Sequence, residues 1–150
     1  MKTILPKELR EKVEANDEIC ILDVRAEEKY ENEHIEGGDI QSINIPKSHI
    51  FNLDDNNANI ISTLPKNKEI IVTCTTGNSA RKCAAILSEK NYNVTLLEGG
   101  ITAWKEHLTE KWLESTKREY IGNVFYPYRT NTLDFTIKRG RTNNYWFCPF

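Results

Sequence analysis

The sequence predicts an α/β domain, a parallel sheet covered by helices on both faces. Three observations point there. Two runs, Ile19-Cys20-Ile21-Leu22 and Ile70-Ile71-Val72, are apolar at every position, as strands buried on both faces are. Other stretches carry apolar residues at helical spacing instead. Strand and helix then alternate along the chain, the pattern of βαβ units.

The elements follow in order. Residues 6–15 read as a helix, because Pro6 suits a first turn and Leu9 and Val13 share a face. Residues 18–23 are the first buried strand, which ends on Asp23-Val24-Arg25. Residues 26–33 are charged and helix-prone, and Gly37-Gly38 stops them. Residues 42–45 are a brief strand before Pro46. The polar run 52–59 is a loop, and a short helix follows around 59–64. Residues 68–73 form the second buried strand and 74–77 a turn. Residues 79–90 are a helix with Ala80, Cys83, Ala84 and Leu87 on one face. Residues 93–97 are a strand, and Glu98-Gly99-Gly100 turns the chain into a helix over 101–113.

Beyond that point the composition shifts. Residues 120–150 hold nine of the 14 aromatics, with four basic residues and one acid, against a whole-chain net charge of −2. Leu133-Asp134-Phe135-Thr136-Ile137-Lys138 alternates apolar with polar, as a half-buried strand does. Residues 139–144 contain Gly140 and Asn143-Asn144, a turn, and Tyr145-Trp146-Phe147 reads as the returning strand. Val124, Tyr126 and Tyr128 also alternate, though Pro127 confines them to a sheet edge. The organisation expected is a body over residues 1–113 and an aromatic-rich extension over 114–150, a small antiparallel β-hairpin packed on the body.

Composition excludes several classes. With 39% hydrophobic and 28% charged residues in 150, the chain is neither disordered nor membrane-embedded. Its apolar runs last only a few residues, where a span needs about 20. The first residues, Met1-Lys2-Thr3-Ile4-Leu5-Pro6-Lys7, carry no apolar stretch of signal-peptide type, so reduced thiols in the cytoplasm are expected. Cys20, Cys74, Cys83 and Cys148 show no CxxC spacing and no histidine at ligand distance, so no zinc site is expected. Asn93-Val94-Thr95 matches a glycosylation sequon by chance, inside a strand.

The chemistry concentrates in Cys74-Thr75-Thr76-Gly77-Asn78-Ser79-Ala80-Arg81. A buried strand ends, a cysteine follows at once, then a short loop of small residues enters a helix. Ligands of open α/β sheets bind beyond the carboxyl ends of the strands. The free N–H groups of a helix start favour an anion and draw a thiol toward thiolate. Gly77 permits a left-handed turn, and Arg81 adds a positive charge, either tuning Cys74 and contacting an anionic donor or standing in solvent. The bland alternative for Cys74 is a buried cysteine that happens to end a strand.

These residues resemble the active-site loop C-x-x-G-N-S-[SA]-[KR] of single-domain rhodaneses, thiosulfate sulfurtransferases. Two further motifs lie in the same order. Leu22-Asp23-Val24-Arg25, with Glu27-Glu28-Lys29-Tyr30 and His34-Ile35-Glu36-Gly37, is similar to D-V-R-x-x-x-E-[YF]-x-x-G-H-I-x-G-A. Leu97-Glu98-Gly99-Gly100-Ile101-Thr102-Ala103-Trp104 is similar to L-x-G-G-x-x-A-W, and Ile43-Asn44-Ile45-Pro46 fits the intervening A-x-N-I-P. Residues 38–42 look like a small insertion, and nothing after about residue 110 matches the family.

The resemblance implies a five-stranded, mainly parallel sheet flanked by helices. It implies that Cys74 takes a sulfane sulfur from thiosulfate or a persulfide and yields it to a thiol, cyanide or a protein acceptor, with the loop 75–81 binding the anion. No metal or organic cofactor is implied. Two other functions compete. Cysteine-loop phosphatases and arsenate reductases of this fold use a C-x5-R signature, but the corresponding position here holds Ala80, and Arg81 comes one residue later. A non-enzymatic sulfur carrier or adaptor module is the other, although such modules commonly lack the cysteine. Asp23 and Arg25 read as a cap and an ion pair, His34 as part of a turn rather than a general base, Cys20 as core, and Cys83 as core with a resolving thiol as its alternative. Trp104 and Trp112 read as helix-packing residues. The basic, aromatic tail fits a packed hairpin better than nucleic-acid binding.

Overall fold

The computed structural model describes residues 1–37, 39–53, 58–118 and 137–139. Its elements are β1 (Lys2–Ile4), α1 (Pro6–Glu14), β2 (Ile19–Asp23), α2 (Glu27–Asn32), β3 (Glu33–Ile35), β4 (Gln41–Asn44) and α3 (Lys47–Phe51). They continue with α4 (Ala58–Ile61), β5 (Glu69–Thr73), α5 (Asn78–Glu89), β6 (Val94–Leu97), α6 (Gly100–Arg118) and β7 (Ile137–Arg139). Five strands form one sheet in the order β1-β6-β5-β2-β4, and every pair in it is parallel.

Alternation along the strands divides the interior into two layers. Cys20, Leu22, Ile70 and Val72 point to one face, where they meet Ile50 of α3 and Ala80, Cys83, Ala84 and Leu87 of α5. Ile19, Ile21 and Ile71 point to the other, against Leu9 and Val13 of α1 and Ile101 and Trp104 of α6. Burying each such large side chain contributes about 1.5–3 kcal/mol. Both layers are filled, which is why β2 is buried at all five positions.

The chain winds away from the β2–β5 boundary in two directions. β2 leads to β4 on one side and β5 leads to β6 on the other. Cys74 follows β5 directly, so it stands at the carboxyl edge where the strand order reverses, the place where open α/β sheets hold ligands. It also continues the side-chain phase of Ile70 and Val72, which aims it at the α5 layer.

Three elements lie outside the sequence expectation. β1 was not expected: only Ile4 of its three residues is buried, too little to mark a strand. β3 and α3 were also unexpected; each is short and buries one apolar residue, Ile35 and Ile50. Trp104 is sealed in the core as expected, but Trp112 is 49% exposed. The nineteen-residue α6 outruns the nine-residue α1 on which it packs, so its later turns lack that cover. α6 also runs without a break across Leu113, where the body was expected to end.

β7 pairs antiparallel with β3, Ile137 opposite Ile35 and Arg139 opposite Glu33. The remainder of the expected tail strand 133–138, apart from Ile137 and Lys138, lies outside the described residues, as do the turn 140–144, the returning strand 145–147 and the alternating stretch 124–128. Among the described residues, no helix is long and apolar enough to cross a membrane.

Candidate active site

Cys74 is 6% exposed. Its Sγ accepts the Gly77 N–H at 3.1 Å. Gly77 precedes the first residue of α5 and has φ +97°, a left-handed conformation that bends the chain back over the sulfur and that side-chain-bearing residues resist. The first turn of a helix leaves its N–H groups without intrahelical acceptors. One of these, from Gly77, is thus given to the sulfur; Asn78, Ser79 and Ala80 supply the next. An anion on the sulfur is stabilised by that donor and by the positive end of α5.

The other loop residues divide by position. Thr75, Thr76 and Asn78 are exposed, Ser79 is half-buried, and Ala80 is buried in the α5 layer. Arg81 is exposed, and its N–H closes the first helical bond to Gly77 O at 2.9 Å. The structure therefore brings the Gly77 N–H to the Cys74 sulfur and leaves the Arg81 side chain at the surface.

A second segment braces the loop from outside, and sequence reasoning saw it only as a turn and a family motif. Ile101 N–H donates to Cys74 O at 2.9 Å, and Thr102 donates to Thr75 O through both its N–H, at 3.1 Å, and its Oγ1, at 2.9 Å. Gly100, with φ +61°, lies so close that a Cβ there would overlap the Cys74 and Thr75 carbonyls. The glycine pair at the turn from β6 into α6 is thus the seat of the Cys74 loop. Adjacent glycines just past a strand at the sheet's carboxyl edge are the signal that marks it.

Asp23 and Arg25 are both buried and form one unit: the Arg25 guanidinium bonds the Asp23 carboxylate, with Nη2 to Oδ2 at 2.7 Å, and reaches Glu33 O. Asn44 Nδ2 donates to Asp23 O at 2.9 Å and Arg25 O at 3.0 Å. This network ties β2, β3 and β4 together beside the site, a structural role. His34 stands in β3, stacked on Tyr30 at 4.2 Å with Nδ1 2.9 Å from Tyr30 O.

The remaining described cysteines are core. Cys20 is fully buried; burial pushes its thiol up to about 11, with Lys68 opposing. Cys83 is fully buried beside Cys74. Burial pushes its thiol up to about 12, the Cys74 sulfur adds to the rise, and the Lys47 ammonium opposes it. Among the described residues no cluster of His, Cys, Asp and Glu could hold a metal ion.

A doubly wound parallel sheet with a cysteine at its switch point, cradled by a helix start, defines a class of thiol-centred α/β domains. Within that class this chain belongs to the Rhodanese-like domain family, whose pattern it matches over residues 5–107. It is similar to MoeZ of Mycobacterium tuberculosis, named as an adenylyltransferase/sulfurtransferase, with 31% identity over 107 residues. That match covers 71% of this chain but only a quarter of MoeZ. It is 30% identical to YtwF of Bacillus subtilis, named as a sulfurtransferase, over 70% of this chain and 91% of YtwF. Among solved structures, a rhodanese-related protein of Thermoplasma volcanium superposes with a TM-score of 0.58 at 28% identity, covering 71% of this chain and 93% of that one. Family and relatives together support a general role in sulfur transfer.

Proposed function

We propose that the protein is a sulfurtransferase that carries a sulfane sulfur on Cys74 as a persulfide. The observation that carries this reading is the Gly77 N–H held 3.1 Å from Cys74 Sγ at the mouth of α5. In the first half-reaction the Cys74 thiolate attacks the outer sulfur of a donor such as thiosulfate. The bond between that sulfur and the sulfonyl sulfur breaks, and sulfite leaves with the electron pair. In the second, an acceptor thiolate, cyanide or a protein thiol attacks the terminal sulfur, and Cys74 leaves as thiolate. The Gly77 N–H and the other free N–H groups at the start of α5 stabilise the persulfide anion and the departing group.

A phosphatase or arsenate reductase needs an arginine to clamp the oxyanion where Ala80 stands. Ala80 is buried in the α5 layer, which leaves a guanidinium no room at that position. The body over 1–113 carries the chemistry in this reading, and 114–150 is an appendage to it.

Intact-mass measurement after incubation with thiosulfate tests the proposal. The wild type is expected to gain one sulfur atom, removable by cyanide, and Cys74→Ser to gain none. A wild type that takes up no sulfur, or a variant that takes up as much, overturns it and leaves the adaptor reading.

A further inference from the structure

Three strand ends are stitched side by side on the carboxyl edge of the sheet. Val24 N–H donates to Thr73 O at 3.0 Å, and Lys47 N–H donates to Val24 O at 2.9 Å. Cys74 follows Thr73, so the Lys47 backbone stands about two strand spacings, roughly 10 Å, across from it. A flexible four-carbon lysine stem spans much of that gap. Lys47 also opens α3, which packs on α5, the helix that the Cys74 loop enters. The Lys47 charge is felt at Cys83, beside Cys74 in the same buried layer.

Other cations on this edge are placed differently. Arg25 is committed to the Asp23 carboxylate and Glu33 O. Arg81 projects from the surface of the first turn of α5. Lys47 is exposed and, among the described residues, joins no ion pair. It is a solvent-facing positive charge at the start of α3, on the same sheet edge as Cys74.

We infer that Lys47 is a specificity-determining residue of the Cys74 site: its ammonium draws anionic donors to the sulfur and favours those of higher negative charge. The inference rests on the sulfur-transfer reading and adds the residue that discriminates among donors by their charge. The lysine touches no reacting atom. It acts through its field, which at the mouth of a low-dielectric site is screened less than in water.

Alkylation of Cys74 tests this independently of sulfur transfer. The full chain, Lys47→Gln and Lys47→Arg are treated with iodoacetate, an anion, and with iodoacetamide, its neutral counterpart, and the rate at Cys74 is read by peptide mass. Lys47→Gln is expected to slow iodoacetate about three- to tenfold and to leave iodoacetamide within about twofold, while Lys47→Arg restores the wild-type ratio. In parallel, sulfur loading is measured with thiosulfate, a dianion, and methanethiosulfonate, a monoanion with the same type of scissile S–S bond. KM for thiosulfate is expected to rise more than KM for methanethiosulfonate in Lys47→Gln. An unchanged iodoacetate-to-iodoacetamide ratio, or an equal loss with both reagents, overturns the assignment of Lys47. A wild type that takes sulfur from neither donor overturns the sulfur-transfer reading, and the discrimination among donors with it. The alkylation ratio tells that failure apart from a misassigned lysine.

Discussion

Gly100→Ala perturbs the Cys74 loop without touching the cysteine, and its cost is set by two separable causes. Gly100 has φ +61°, where a side-chain-bearing residue costs about 1–2 kcal/mol. Its new methyl would also sit 2.8 Å from Thr75 O and 2.9 Å from the Thr75 carbonyl carbon, with Cys74 O closer still. These are backbone atoms, so relief requires the loop itself to move, and overpacking of this kind costs about 1–3 kcal/mol more. The expected loss is about 2–5 kcal/mol. Gly77→Ala is the internal control. Gly77 has φ +97°, but a methyl there meets nothing nearer than Gly99 N at 3.5 Å, an ordinary contact. It carries the conformational cost alone, about 1–2 kcal/mol. Urea denaturation of both variants measures the difference; with an m-value of about 1–3 kcal/mol per molar, Gly100→Ala should have the lower midpoint by about 1 M. Equal losses from the two variants would refute the claim that the glycine seat presses on the Cys74 loop. So would a Gly100→Ala protein within about 0.5 kcal/mol of wild type.

Asp23→Ala leaves the Arg25 guanidinium buried without its carboxylate and is expected to cost about 3–5 kcal/mol in urea melts. A loss below about 1 kcal/mol would show the pair to be dispensable for holding β2, β3 and β4 together. Glu69 supplies a pH dependence. Burial raises its carboxyl, but bonds from Lys12 and Thr95 and the charges of Lys12 and Lys2 outweigh that and hold it below the usual 4.5. The unfolded chain therefore takes up the proton first, so this stabilisation is whole above 4.5 and is lost as pH falls through the lower folded value. Thermal melts across the acid range should decline less steeply for Glu69→Gln than for wild type, and parallel declines would rule Glu69 out as a source of the slope.

The elements read correctly from the sequence are those whose local pattern and tertiary role agree. β2 and β5 are apolar at nearly every position because both of their faces are covered, and α5 keeps one apolar stripe because only one of its faces is. β1 was not legible: its pairing with β6 buries Ile4 but leaves Lys2 and Thr3 exposed, and that partner lies some ninety residues away. α3 is a single turn and a half whose burial rests on Ile50, too little for a period to show. At the site, Cys74 and Gly77 were legible because the strand, turn and helix that hold them are contiguous. The brace from Gly100, Ile101 and Thr102 was not, since only the sheet order brings it to the loop.

The β3–β7 pairing has a consequence for how the protein is made. Ile35 meets Ile137, about a hundred residues later in the chain. At about 5–20 residues per second, a ribosome takes about 5–20 seconds to deliver β7 after β3 has emerged. For that interval Glu33–Ile35 presents its hydrogen-bonding groups to whatever chain is near, as any open strand edge does. Arg25 holds one of those groups, Glu33 O, and Lys105, once made, pairs with the Glu33 carboxylate, but neither supplies a strand partner. Nascent chains on one message are crowded neighbours, each carrying the same unpaired strand. A transcript truncated ahead of residue 137 would leave that edge open for the life of the protein.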